Sequence, residues 1–136
     1  MPTKIKKKRI MVDMSCTIIH HGHVRLLKSA SKMGSVVVAL TSDDEIMIKK
    51  GYLPELNFDQ RKEILESIRY VSEIVESKWL IDDHFVISHN IDVLVHGDDN
   101  RNDLSACEVV IFPRTVGISS TYLREKSYEI WNSKLD

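Results

Sequence analysis

Residues 9–23 read RIMVDMSCTIIHHGH, and the order of residue types within this stretch decides the architecture. Arg9 to Met14 is a short apolar run of the kind that forms a buried strand, and the polar Ser15, Cys16 and Thr17 follow it. A helical pattern then opens. From Gly22 to Met33 the residues Val24, Leu26, Leu27, Ala30 and Met33 fall at helical spacing, and Gly34 stands where such a helix stops. A strand that gives way to a helix across a polar turn is the repeating unit of a parallel sheet.

The same alternation continues outward. Val36 to Leu40 is a continuous apolar run, as in strands covered on both faces. A short helix is expected over Asp43 to Lys49, after which Gly51 and Pro54 break regular structure. Asn57 suits the cap of a longer helix with Phe58, Ile64, Leu65 and Ile68 apolar and Asp59 in its first turn. Val71 to Val75, Val93 to Val95 and Val109 to Phe112 complete about five strands, with a helical segment from about Ile81 to His89 between the third and fourth. The pattern predicts an α/β fold: a Rossmann-like, doubly wound parallel sheet of about five strands with helices on both faces. In such folds ligands bind beyond the C-terminal ends of the strands, where strand order reverses, so the residues after each strand are the ones to inspect.

Composition bounds the class. The 136 residues, 43% hydrophobic and 29% charged, suit one folded domain over 1–136. A basic arm occupies 1–8, where Lys4, Lys6, Lys7 and Lys8 stand next to Arg9; without that cluster the body is mildly acidic. No basic face interleaved with aromatics supports nucleic-acid readout. No apolar stretch approaches the roughly 18 residues of a membrane helix, and the N-terminus lacks the apolar core of a signal peptide. Cys16 and Cys107 form no CxxC pair, so a reducing, cytoplasmic setting is expected.

Three clusters follow strands. His20-His21-Gly22-His23 stands at the start of the first helix, where backbone N–H groups make an anion site and Gly22 leaves room for a phosphate. Two imidazoles flanking that glycine can donate hydrogen bonds to a phosphate group in a transition state. A metal site and a plain structural cap are the competing readings, although zinc sites on one helix prefer ligands four apart. Pro113 to Thr121 repeats the theme after the last strand: Arg114 offers a planar fork of donors, Gly117 relieves the turn, and Ser119, Ser120 and Thr121 present hydroxyls at a helix start. His96-Gly97-Asp98-Asp99-Asn100 follows the fourth strand as an acidic, glycine-containing loop, suited to ribose, base amino groups or a phosphate-bound cation, or to a solvated turn. Lys49, Lys50 and Arg69 are further cations that could lie near a polyphosphate.

Taken together, HxGH at His20 to His23, RKEILESIRYV at Arg61 to Val71, HGDDN at His96 to Asn100 and RTVGISST at Arg114 to Thr121 resemble the glycerol-3-phosphate cytidylyltransferases. They do so in the same order from about Arg9 to Glu125. HxGH alone marks only the wider nucleotidyltransferase superfamily, which includes adenylyltransferases. The resemblance implies a Rossmann-like homodimer that uses CTP and Mg2+, the ion carried mainly by the triphosphate, to join CMP to a small phosphorylated alcohol or phosphonate with release of pyrophosphate.

By position it implies catalytic roles for His20, His23, Lys50 and Arg114. Nucleotide contacts are implied for Ser15, Cys16, Gly22, Arg69, Asp98, Asp99, Ser119, Ser120 and Thr121. The departures are specific. Where the family reads GTFD, this chain has Met14-Ser15-Cys16-Thr17, so an aspartate expected at position 17 is a threonine. The tryptophan of GDDW is Asn100, and a second lysine of the glycine-rich segment is Tyr52. The Asp-Met-Ser stretch beside Ile-His-His-Gly-His is closer to cytidylyltransferase domains of phosphonate pathways. An adenylyltransferase and a non-catalytic nucleotide sensor are the alternatives, the first separable by turnover with CTP against ATP, the second by tight CTP binding without pyrophosphate release. A response-regulator module lacks its acidic pair here.

Overall fold

The computed structural model describes residues 7–97 and 104–135. In chain order the elements are β1 (Arg9–Met14), α1 (His21–Ser31), β2 (Ser35–Thr41), α2 (Asp43–Lys50), α3 (Phe58–Glu66), β3 (Glu73–Ser77), α4 (Asp83–Ser88), β4 (Val93–Gly97), β5 (Glu108–Phe112) and α5 (Ser120–Ser133). The five strands form one sheet in the order β3-β2-β1-β4-β5, and every pairing is parallel. The chain builds outward from β1 to β3 and then returns to add β4 on the other side of β1. The C-terminal ends of β1 and β4 therefore flank the point where strand order reverses, which opens a crevice there.

The central strands are apolar on both faces because both faces are covered. Ile10, Val12, Val36, Val38, Leu40, Val93 and Val95 pack against Leu27 and Ala30 of α1 and Leu65 of α3. Met11, Val37, Ala39 and Leu94 face the other way, onto Val86 of α4 and its neighbours Ile81 and Ile91. Each such buried aliphatic side chain contributes roughly 1.5–3 kcal/mol. No helix among the described residues is long and apolar enough to cross a membrane.

Three local expectations are corrected. The third strand runs over Glu73–Ser77 rather than Val71 to Val75. Tyr70 and Val71 instead pack against the core at the turn after α3, where the Val71 N–H donates to Ile68 O at 3.0 Å. The fourth helix is shorter than Ile81 to His89, since Asp82 caps it and Ile81 is buried in the core. Gly34 is not the left-handed stop of α1, which closes on Lys32 in right-handed conformation. A Cβ at Gly34 would lie 2.2 Å from Lys8 O, so this glycine lets the chain pass against the start of β1.

The least expected core residue is Arg61, 2% exposed within α3. Its guanidinium donates to Ser15 O at 2.6 Å, Leu56 O at 3.1 Å and Thr41 O at 3.0 Å. It also meets Asp43 Oδ1 at 2.7 Å. One side chain thereby ties the residue after β1, the end of β2 and the first turn of α2. Arg61→Met keeps the aliphatic bulk and strands those carbonyls and Asp43, so stability should fall by about 3 kcal/mol. Urea unfolding checks this; a midpoint unchanged from wild type would contradict the assignment.

Candidate functional site

At the C-terminal ends of the strands lies a cleft of about 640 Å³, large enough for a nucleotide-sized ligand. Its wall is built from the turn after β1, the start of α1, the last turn of α2, the segment after β3, the end of β4 and the β5–α5 connection. Ser15, His20, Gly22, His23, Lys49, Lys50, Arg114, Ser119, Ser120 and Thr121 all line it. The first and second clusters read from the sequence therefore share one cavity.

The start of α1 dictates the state of the histidines. His20 is the N-cap, in extended conformation, and its Nδ1 accepts from the Gly22 N–H at 3.0 Å. The His20 N–H in turn donates to His23 Nδ1 at 3.2 Å. This is the reciprocal logic of a capping box, written with two imidazoles instead of a hydroxyl and a carboxylate. Since each Nδ1 accepts a hydrogen bond, each neutral ring carries its proton on Nε2. The two rings lie 3.9 Å apart, tilted by 40°. A Cβ on Gly22 would stand 2.8 Å from His20 Cε1, so the glycine makes room for the folded-back ring.

Both imidazoles are held in the uncharged form. Burial, then the His20 ring and Arg114, pushes His23 down to about 3. Burial, then His21 and Arg114, lowers His20 as well. At neutral pH the pair consists of uncharged N–H donors, and the positive charge of the cleft comes from Lys49, Lys50, Arg114 and Arg25. Across the cleft Ser119 caps α5, accepting from the Tyr122 N–H at 3.0 Å. Ser120 Oγ accepts from the Ile18 N–H at 3.2 Å and donates to Ile18 O at 2.9 Å, which fastens α5 to the loop leading into α1. Gly117 takes a left-handed φ of 81° in the turn between them.

Two nominated residues do not reach the cleft. Cys16 is 4% exposed and packs into the core beneath the β1–α1 turn, where burial pushes its thiol up to about 12. Its polar neighbours in sequence do not make it a polar site. Arg69 lies in the turn before β3, at the opposite end of the sheet, and donates to Tyr70 Oη at 2.8 Å. Asp98, Asp99 and Asn100 lie outside the described residues. Among the described residues no group of three or more His, Cys, Asp or Glu is placed to hold a metal ion.

Sequence reasoning passed over several residues of the wall, among them Asp13, Thr41 and Trp79. His96, named only as part of the loop after the fourth strand, is 2% exposed at the cleft, and its Nδ1 has no hydrogen-bond partner among the described residues. The signal for these was positional: each stands at or just beyond the C-terminal end of a strand.

The fold and the phosphate-sized donor array at the switch point define a nucleotidyltransferase-type Rossmann-like protein. The chain belongs to the cytidylyltransferase-like family, which matches residues 17–126. It is 38% identical over 124 residues to glycerol-3-phosphate cytidylyltransferase of Bacillus subtilis (strain 168), covering 88% of this chain and 96% of that protein. It is 31% identical over 137 residues to ethanolamine-phosphate cytidylyltransferase of Dictyostelium discoideum, covering 90% of this chain and 38% of that protein. Its fold is similar to the crystal structure of the lipopolysaccharide core biosynthesis protein from Thermoplasma volcanium GSS1, with a TM-score of 0.70, 20% identity, and 81% and 99% of the two chains covered.

The depressed imidazoles set the acid limb of stability. Between about pH 6.5 and pH 3 an unfolded chain takes up the proton that folded His23 refuses, so stability is fully present above pH 6.5 and declines as pH falls. Thermal melts from pH 7 to pH 4 should show this decline, and His23→Gln should make it shallower. An equal slope in the variant would mean that His23 is not held neutral by the fold.

Proposed function

We propose that this protein transfers CMP from CTP to a small phosphorylated alcohol or phosphonate and releases pyrophosphate. The observation that carries the reading is the pair of neutral imidazoles, tautomerically locked at the start of α1, in one cleft with Lys50, Arg114 and the start of α5. Relatives named for glycerol 3-phosphate and for ethanolamine phosphate share an acceptor chemistry, a phosphomonoester of a small alcohol. The Asp13-Met14-Ser15 stretch keeps phosphonates within the proposed range.

The acceptor oxygen attacks the α-phosphorus in line, the new P–O bond forms as the bond to the bridging β-phosphate oxygen breaks, and pyrophosphate leaves. An acceptor already anionic at neutral pH needs no general base, so catalysis rests on alignment and on neutralising charge. His20 and His23 donate from Nε2 to the phosphoryl oxygens, where uncharged donors strengthen as negative charge gathers. Lys50 and Arg114 grip the triphosphate, and Ser119, Ser120 and Thr121 offer hydroxyls and N–H groups at the α5 start. Among the described residues lining the cleft Asp13 is the one carboxylate, a donor set that suits a Mg2+ ion carried by the triphosphate. When bound, that ion neutralises phosphate charge and aids departure of pyrophosphate. The protein is proposed to act in the cytoplasm as a homodimer, on small molecules rather than nucleic acid or membrane.

Pyrophosphate release is to be measured with CTP or ATP against glycerol 3-phosphate, phosphoethanolamine, 2-aminoethylphosphonate and 2-hydroxyethylphosphonate. Release with CTP and one acceptor is expected. Preference for ATP would make the protein an adenylyltransferase, and CTP binding without release would make it a sensor. Under the productive condition His23→Ala should lower kcat by about 100- to 1,000-fold, the size seen for loss of one transition-state donor. Full turnover in the folded variant removes the role given to His23.

A further inference from the structure

Lys50 reaches the cleft from the last turn of α2, and the chain leaves that helix through Gly51 in left-handed conformation, with φ 81°. Residues 51–57 then cross to α3 with little regular hydrogen bonding of their own. Arg61 holds Leu56 O near the end of this segment, and a side chain from the far end of the sequence holds its middle. Arg124 of α5 makes a two-pronged contact with Glu55, Nε to Oε2 at 2.5 Å and Nη2 to Oε1 at 2.7 Å. Its guanidinium lies 4.7 Å from the centre of the Tyr52 ring and donates to Tyr52 Oη at 3.2 Å. It also donates to Oγ1 of Thr17, which is 1% exposed, at 3.3 Å.

Arg124 therefore joins three segments, each adjacent in sequence to residues of the cleft. Tyr52 and Glu55 follow Lys50, Thr17 precedes His20, and α5 begins with Ser119 to Thr121. Ser120, one turn before Arg124 on the same side of α5, fastens Ile18, the neighbour of Thr17. Thr17 and Tyr52 are also two positions at which this chain departs from the pattern it resembles, and the same arginine touches both.

The geometry points to Arg124 as a positioning residue for nucleotidyl transfer: its clamp on Tyr52, Glu55 and Thr17 sets Lys50 against the His20–His23 pair. The inference rests on the proposed nucleotidyl transfer and names a residue outside the cleft on which that site depends. The Arg124 and Glu55 side chains are 29% and 47% exposed. An ion pair that open to water contributes little to global stability, so its effect should be read in the cleft and not in the melting temperature.

Wild-type protein and Arg124→Gln are compared by calorimetric binding of inorganic tripolyphosphate, amide hydrogen exchange over residues 51–57, thermal melting and steady-state kinetics with CTP. The variant should bind tripolyphosphate roughly tenfold more weakly and show a similar rise in KM for CTP, because a small displacement of a binding cation is costly. Exchange across 51–57 should quicken while the melting temperature hardly moves. Glu55→Gln should reproduce the effect and serves if Arg124→Gln does not fold; the double variant should be no worse than either single one. The charge exchange of Arg124→Glu with Glu55→Arg should recover part of the affinity.

Unchanged tripolyphosphate affinity and unchanged exchange in a folded variant would overturn the inference. A lowered melting temperature with affinity intact would also overturn it, since Arg124 would then be merely structural. Tripolyphosphate binding needs no turnover, so absence of CTP chemistry in the wild type counts against the proposed function and leaves the clamp to be judged on affinity and exchange.

Discussion

The amide protons at the start of α1 are the constraint on which the site depends. A helix start leaves several N–H groups without intrahelical partners, and most proteins satisfy them with a serine, threonine or aspartate oxygen. Here the Gly22 N–H is taken by His20 Nδ1 and the His20 N–H by His23 Nδ1. Two requirements are met by one arrangement. The helix gains its cap, and each imidazole is left with its proton on the nitrogen that does not face the backbone. Glycine at 22 follows from the same geometry, since a methyl there would collide with the His20 ring.

The sheet supplies the place for that arrangement. Reversal of strand order between β1 and β4 separates the connections that follow them, and the start of α1 opens into the gap. Arg61 then makes the gap rigid from below. Its donors on Ser15 O and Thr41 O hold the exits of β1 and β2 together, while Asp43 links the same guanidinium to α2, which ends in Lys50. A buried arginine of this kind is stable because each of its three side-chain nitrogens donates to a carbonyl or carboxylate. The consequence reaches the cleft, because residues lining it, Ser15, Thr41 and Lys50 among them, come from elements whose spacing this residue sets.

Much of this was legible in the residues. Continuous apolar runs marked β1, β2 and β4, since a strand covered on both faces has no polar alternation to blur it. The edge strand β3 was misplaced because its own residues, Glu73 and Glu76 among them, are polar, while the apolar Tyr70 and Val71 before it serve the core from a turn. HHGH and RTVGISST were read as one phosphate site because both open helices after strands. Cys16 and Arg69 were misjudged for one shared reason: position in a motif does not reveal which way a side chain points. Cys16 has a φ of 50° and turns into the core, and Arg69 precedes β3 and so falls at the wrong end of the sheet. Arg61 carried a usable signal, standing four residues before Leu65 on the buried face of α3. Arg124 carried none, because its partners are 69, 72 and 107 residues away in sequence.

In the proposed reaction the site is a set of donors, of which the neutral imidazoles at one helix start and the serine hydroxyls at another are already fixed by hydrogen bonds to the backbone. Pre-set donors of this kind need no reorganisation when charge shifts from the α-phosphate to the leaving pyrophosphate. The measurement that tests this most directly is a long-range 1H–15N NMR spectrum of the histidine rings at neutral pH, assigned through His20→Gln and His23→Gln. The account predicts that both rings are neutral, with the proton on Nε2 and a bare Nδ1. A proton on Nδ1 of either ring, or an imidazolium at neutral pH, would contradict it.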